Sequence, residues 1–236
     1  MNSDSLLNNK INSIIELYSS GQISDALESI EILIVQNPNE SILYNISGVC
    51  LKANGKLEMA VESFMSAINL KPDFADAHYN LALTHQELNH LDEAVEYYKK
   101  TLAIDISYAK AYNNLGIVYK ELGQMDEAIE SYEQLIIIQP GNAEAHNNLG
   151  NLLTDLGELD SAIKSYKNAL IIQPDYFEVH NNLGSIFNEL GHNDEAIKCY
   201  ELALAINPDF ADAHNNLGVI LQSIVQFDEA ANCYKK

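Results

Sequence analysis

The chain has 236 residues, with 34 acidic side chains against 13 lysines and no arginine, for a formal charge of −21. That balance excludes a phosphate-binding surface for nucleic acid or an anionic membrane, since both need clustered cationic donors. Three cysteines are too few for a disulfide framework, no apolar run is long enough to cross a bilayer, and no basic-then-apolar leader follows Met1, so a soluble cytoplasmic chain with free thiols is expected.

Glycine and proline recur on a fixed period along the chain. Gly48, Gly116, Gly150, Gly184 and Gly218 share one 34-residue grid, and Gly21, Gly55, Gly123, Gly157 and Gly191 share a second. Pro38, Pro72, Pro140, Pro174 and Pro208 share a third, as do alanines from Ala26 to Ala230. Such a period marks one supersecondary unit copied in series, so length counts repeats rather than domains. With Gly48 at position 8, a degenerate unit at 7–40 precedes units 41–74, 75–108, 109–142, 143–176 and 177–210, and a truncated one follows at 211–236. Each unit predicts two helices. In 143–176 the apolar residues Ala145, Leu149, Leu152, Leu153 and Leu156 have helical spacing, Gly157 breaks it, and Ala162, Ile163, Tyr166, Ala169 and Leu170 resume it.

Position 15 must end helix A and reverse the chain, which suits a left-handed residue, so Asn89 is the tolerated substitute there and Val225 predicts a distorted turn. Proline at position 32 closes helix B, and Ile106 in its place predicts a helix that runs on slightly. Asp73 with Asp76, Asp175 with Glu178 and Asp209 with Asp212 have the spacing of an N-cap and a carboxylate reaching back to it. Asp92, Asp126, Asp160, Asp194 and Asp228 begin each helix B, where negative charge suits the helix dipole.

Leu at position 7, Gly at 8, a large apolar residue at 11, Ala at 20, Tyr or Phe at 24 and Pro at 32 resemble the tetratricopeptide repeat (TPR) signature over nearly the whole chain. The resemblance implies an all-α fold, a right-handed α-solenoid of antiparallel helix pairs, with helix A lining the concave face of the superhelix. Position 4 departs from the family's usual Trp, being Tyr44, His78, Tyr112, His146, His180 and His214.

The resemblance turns positions 5 and 6 inward. Position 6 holds Asn80, Asn114, Asn148, Asn182 and Asn216; position 5 holds Asn45, Asn113, Asn147, Asn181 and Asn215, with Tyr79 the exception. Asn costs about 0.6 kcal/mol against Ala in a helix, so its recurrence needs an offsetting use. One use is to bind the main chain of an extended peptide, since each carboxamide both donates and accepts. This ladder is similar to the asparagine-lined superhelices of O-GlcNAc transferase and SPINDLY-type proteins. The other use is to bond neighbouring helices. Inward Asp76, Glu144, Glu178, Asp212, Glu87, Glu121, Asp155 and Glu189 outnumber Lys110 and Lys120, which favours a neutral to basic protein or peptide partner. The clamp with which some TPR domains hold an acidic tail needs inward Lys and Arg, and these are nearly absent.

No catalytic constellation, metal site or cofactor site is expected. His78, His146, His180 and His214 stand a full repeat apart and are read as packing residues. His85, Glu87 and His90 form H-x-E-x-x-H with the Asn89 turn inside it, so the histidines are not expected to share a helical face. Tyr98, Tyr132, Tyr166, Tyr200 and Tyr234 are expected in the interhelix core. The leading expectation is a non-catalytic protein-binding scaffold. Two alternatives stand beside it: the substrate-recruiting arm of a glycosyltransferase whose catalytic domain lies beyond Lys236, and a homo-oligomer formed through an uncapped apolar face around Leu217, Ile220 and Leu221.

Overall fold

Helices of 13 or 14 residues alternate along most of the chain, set by the spacing of the glycines and prolines. The computed structural model describes residues 3–223 and Cys233, and among them it contains α-helices and no strand. The helices are α1 (Ser3–Ser19), α2 (Ile23–Gln36), α3 (Ser41–Ala53), α4 (Leu57–Leu70), α5 (Ala75–Glu87), α6 (Leu91–Ile104) and α7 (Ala109–Glu121), followed by α8 (Met125–Ile138), α9 (Ala143–Asp155), α10 (Leu159–Ile172), α11 (Phe177–Glu189), α12 (Asn193–Ile206) and α13 (Ala211–Ser223). They form two compact units, residues 1–123 and 124–236.

In the first unit each helix packs on the next in sequence, and the odd-numbered helices α3, α5 and α7 also touch in succession. The second unit repeats the arrangement with α9, α11 and α13. Each turn from an odd to an even helix within a unit passes through a left-handed residue. The φ values are 79° at Gly21, 73° at Gly55, 75° at Gly157, 75° at Gly191 and 60° at Asn89, where sequence analysis anticipated the substitute. At Gly157 the backbone N–H groups of Gly157 and Glu158 donate back to the carbonyls of Thr154 and Leu153, both at 2.9 Å, which satisfies the open carbonyls of the last turn.

The grid glycines at position 8 serve packing instead. A Cβ at Gly48, Gly150 or Gly184 would lie 2.5, 2.6 or 2.8 Å from the ring of Phe64, Tyr166 or Tyr200, so the missing side chain is the space the ring occupies. These rings are fully buried, as is Tyr98, and Tyr132 is nearly so, which places the position-24 aromatics in the core as expected.

Several expectations are corrected. The residue preceding α5 is Phe74 and that preceding α11 is Tyr176, neither with a side-chain cap, so Asp73 and Asp175 lie one residue too early to cap. Phe210 precedes α13, and the backbone N–H of Asp209 bonds Asn207 Oδ1. The Phe74 carbonyl opens the hydrogen-bond ladder of α5, accepting from the N–H of Ala77 at 3.0 Å and of His78 at 3.2 Å. Asn142 does cap α9, accepting from the Ala145 N–H at 3.0 Å. The acidic residues Asp92, Asp126, Asp160 and Asp194 do fall in the first turns of α6, α8, α10 and α12.

Helix α6 does not run on. It ends at Ile104, in register with α10 at Ile172, because Asp105 folds an Asx turn in which its carboxylate accepts from the Ser107 N–H at 2.9 Å and the Ser107 hydroxyl at 2.6 Å. Leu217, Ile220 and Leu221 are buried at 7, 1 and 8 % exposure, packed with Ala196, Tyr200 and Cys233, so they belong to the core rather than to an open face. Val225, Asp228, Ala230 and Tyr234 lie outside the described residues.

Candidate peptide-binding face

The asparagines come together through helix geometry. Positions 5 and 6 sit one turn into the odd-numbered helices from α3 onward, and within each unit these neighbouring odd helices are in contact, so an amide at position 6 lies beside position 5 of the preceding repeat. Asn80 Nδ2 donates to Asn45 Oδ1 at 3.0 Å, Asn182 Nδ2 to Asn147 Oδ1 at 3.4 Å and Asn216 Nδ2 to Asn181 Oδ1 at 3.0 Å. Asn182 Nδ2 also donates to Asn151 Oδ1 at 3.1 Å, and Asn151 accepts in turn from Tyr166 OH at 2.7 Å. Asn114 Nδ2 donates to Tyr79 OH at 3.1 Å and Tyr98 OH at 3.2 Å.

The second of the two uses read from sequence is therefore realised: the amides bond neighbouring helices. This leaves a defined remainder. Asn45, Asn147 and Asn181 are buried, whereas Asn80, Asn114, Asn148, Asn182 and Asn216 are half-buried; Asn113 is half-buried and Asn215 exposed. The side-chain oxygens of Asn80, Asn114, Asn182 and Asn216 accept no bond among the described residues. Each unit thus presents carboxamide oxygens held in fixed orientation by the bonds their own N–H groups make.

The charge on this face is also partly engaged. Lys52 Nζ lies 2.8 Å from Glu87, and the Lys52 side chain is 19 % exposed, so Glu87 is neutralised within the chain. Asp76 accepts from Tyr108 OH at 2.9 Å and is in no ion pair with a lysine among the described residues.

The position-4 side chains have a role that sequence analysis missed. His78, His180 and His214 set Nε2 at 2.9, 3.0 and 2.8 Å from the carbonyls of Pro72, Pro174 and Pro208, and Tyr44 OH donates to the Pro38 carbonyl at 3.0 Å. His146 bonds the Pro140 carbonyl likewise. Proline ends helix B and leaves its carbonyl open, so the residue six positions later staples the interrepeat loop. The constant spacing of Tyr or His after Pro was the available signal. Burial holds the His146 imidazole below the ordinary histidine range, partly offset by its bond to Pro140.

The H-x-E-x-x-H residues lie on either side of the turn, yet the chain reversal at Asn89 brings the His85 and His90 rings to 5.8 Å, and His85 stacks on Tyr97 at 5.5 Å. Among the described residues no group of three or more His, Cys, Asp or Glu is placed to hold a metal ion, and no helix is long and apolar enough to cross a membrane. A separate open groove of about 540 Å³ lies between α8, α9 and α10, with Leu149 and Leu153 in its lining and Ile137 at its edge.

Helix pairs with this glycine and proline grammar, stacked so that odd helices touch in succession within each unit, define an α-solenoid of the tetratricopeptide class. The family models confirm the class. The one described as TPR repeat matches residues 51–89, 150–191 and 184–224, and two described as tetratricopeptide repeat match 73–139 and 131–164. The chain belongs to the tetratricopeptide repeat family.

Among curated proteins it is similar to the peroxisomal targeting signal receptor of Saccharomyces cerevisiae, 30 % identical over 67 residues. That match spans 28 % of this chain and 11 % of the receptor. Among solved structures it is similar to a tetratricopeptide repeat protein from Parabacteroides merdae, with a TM-score of 0.71 at 18 % identity, covering 97 % of this chain and 91 % of that one. It is also similar to YrrB, described as a TPR protein with an unusual peptide-binding site, with a TM-score of 0.67 at 22 % identity, covering 79 % of this chain and 96 % of that one. These structural likenesses concern the fold.

Proposed function

We propose that this protein is a non-catalytic interaction scaffold that takes an extended, neutral to basic peptide or protein segment on the asparagine-bearing face that the odd-numbered helices form within each unit. The observation that carries this reading is that Asn80, Asn114, Asn182 and Asn216 are half-buried, with oxygens that accept no bond among the described residues while their N–H groups are committed to neighbouring helices. Such acceptors match the N–H donors of a peptide main chain and make little demand on its sequence. The acidic balance of the chain favours encounter with basic partners, mainly through association rate. The curated relative is a targeting-signal receptor and one structural neighbour carries a peptide-binding site, which agrees with a peptide ligand.

The test is a lysate pull-down on the immobilised chain beside the Asn114→Ala, Asn148→Ala, Asn182→Ala triple variant, with partners identified by mass spectrometry and the helix signal of both proteins recorded. Partners kept by the parent chain and lost by a folded variant support the reading. Equal recovery removes it.

A further inference from the structure

At position 5 of the 75–108 repeat the row of asparagines is interrupted by Tyr79. The interruption costs the row nothing, because Tyr79 OH accepts from Asn114 Nδ2 at 3.1 Å, as Asn45 and Asn181 do from their neighbours. What it adds is aromatic surface. The Tyr79 ring lies 4.9 Å from Tyr108 at 35° and 5.8 Å from Tyr98 at 52°. Tyr98 is fully buried behind them, while Tyr79 and Tyr108 are only half-buried.

Asp76 stands one helical turn before Tyr79 on α5 and is exposed. Tyr108 OH donates to one of its oxygens, and burial together with that carboxylate pushes the Tyr108 pKa far up, so the hydroxyl stays a donor and holds the carboxylate against the rings. Unlike Glu87, Asp76 has no lysine partner among the described residues.

The same unit shows what its other rings attract. Lys71 sits 5.2 Å over Phe74, Lys99 5.5 Å over Tyr119 and Lys100 4.4 Å over Tyr97. No lysine of the described residues occupies Tyr79 or Tyr108. An open pair of aromatic rings beside an unpaired carboxylate is complementary to a cation, through the ring quadrupoles and a charge-assisted hydrogen bond, and hostile to an anion.

We infer that Tyr79, Tyr108 and Asp76 form a subsite for one basic side chain, a lysine ammonium or arginine guanidinium, of the peptide held on this face. The inference rests on the peptide-scaffold reading above and supplies its selectivity.

The test measures anisotropy of a fluorescein-labelled Ser/Ala/Gly peptide carrying one central lysine, against the same peptide with norleucine there. The parent chain should bind the lysine peptide about tenfold more tightly, the scale of one partly desolvated cation–π and carboxylate contact. Tyr79→Asn, which restores the residue other repeats carry, and Asp76→Asn should each reduce that ratio to below about twofold. Equal binding of the two peptides by the parent chain, or a ratio that survives Tyr79→Asn in a protein with parental helix signal, overturns the subsite and leaves the scaffold reading intact. Failure of the parent chain to bind either peptide overturns both.

Discussion

Gly150 faces the Tyr166 ring so closely that a Cβ on it would lie 2.6 Å from Tyr166 Cε1. The ring is 2 % exposed and its hydroxyl is anchored on Asn151 at 2.7 Å, so it cannot swing aside without breaking that bond. Gly150→Ala is therefore expected to destabilise the second unit by about 1–3 kcal/mol, despite the better helix propensity of alanine. Gly141→Ala, where a Cβ would meet nothing within 4 Å, is the near-neutral control. Urea midpoints followed by helix signal decide between them.

Asn182 is expected to stabilise as well as bind. From the sequence, Asn→Ala on this face leaves the fold intact or improves it by about 0.6 kcal/mol of helix propensity. In the structure Asn182→Ala removes the donor to Asn147, which is 8 % exposed, and the donor to Asn151. Asn151 keeps its bond from Tyr166 OH, but leaving the buried Asn147 acceptor unpaired costs about 1–3 kcal/mol, so the sign reverses and a net loss of about 1 kcal/mol is expected. A raised urea midpoint would refute the interrepeat role.

Stability should fall on mild acidification, in part through His146. Its folded-state pKa is lowered by burial, so the unfolded chain takes up the proton first. The contribution is present above the unfolded value of about 6.5 and is lost as pH falls through the folded one. His146→Tyr keeps a donor of the kind by which Tyr44 reaches Pro38, and removes the titration. The variant should show a shallower decline of the urea midpoint between pH 7 and pH 5; an unchanged slope would count against His146.

The thiol of Cys199 is expected to be inert in the folded protein. Burial first, then Glu195, raise its pKa to about 11 against a lesser opposing effect of Lys167, and the residue is 8 % exposed. At pH 8 a thiol of that pKa is ionised to about one part in a thousand, and Cys50 is raised in the same direction by burial. Iodoacetamide should modify both only after urea unfolding, as read by mass spectrometry; rapid labelling of native Cys199 would contradict the packing.

The helices and their turns were legible because their signals are local. A left-handed φ at Asn89, in a place where other repeats have Gly, follows from the steric rules of that single residue. The N-cap expectation for Asp73 failed for an equally local reason: it assumed that the helix starts directly after the aspartate, whereas Phe74 intervenes and takes the cap position without a side-chain bond. At Ile106 the proline rule was overridden by Asp105 and Ser107, which end the helix with side-chain bonds.

The candidate face was half legible. Periodicity placed the asparagines of positions 5 and 6 in helix after helix, but the pairing of Asn80 with Asn45, or of His180 with the Pro174 carbonyl, depends on distances between segments that only packing brings together. The ionic character of the face changed in the same way, since Glu87 counts as free charge in the sequence and is paired with Lys52 in space.

The sequence by itself determined the repeat, the all-α class and the places where each helix must stop, because these follow from conformational preferences of single residues and from a period visible along the chain. Tertiary structure alone decided which polar atoms of those repeats are spent on holding helices together and which stay open to a ligand. A hydrogen bond or an ion pair depends on tenths of an ångström between residues far apart in sequence, and no one-dimensional pattern encodes that distance.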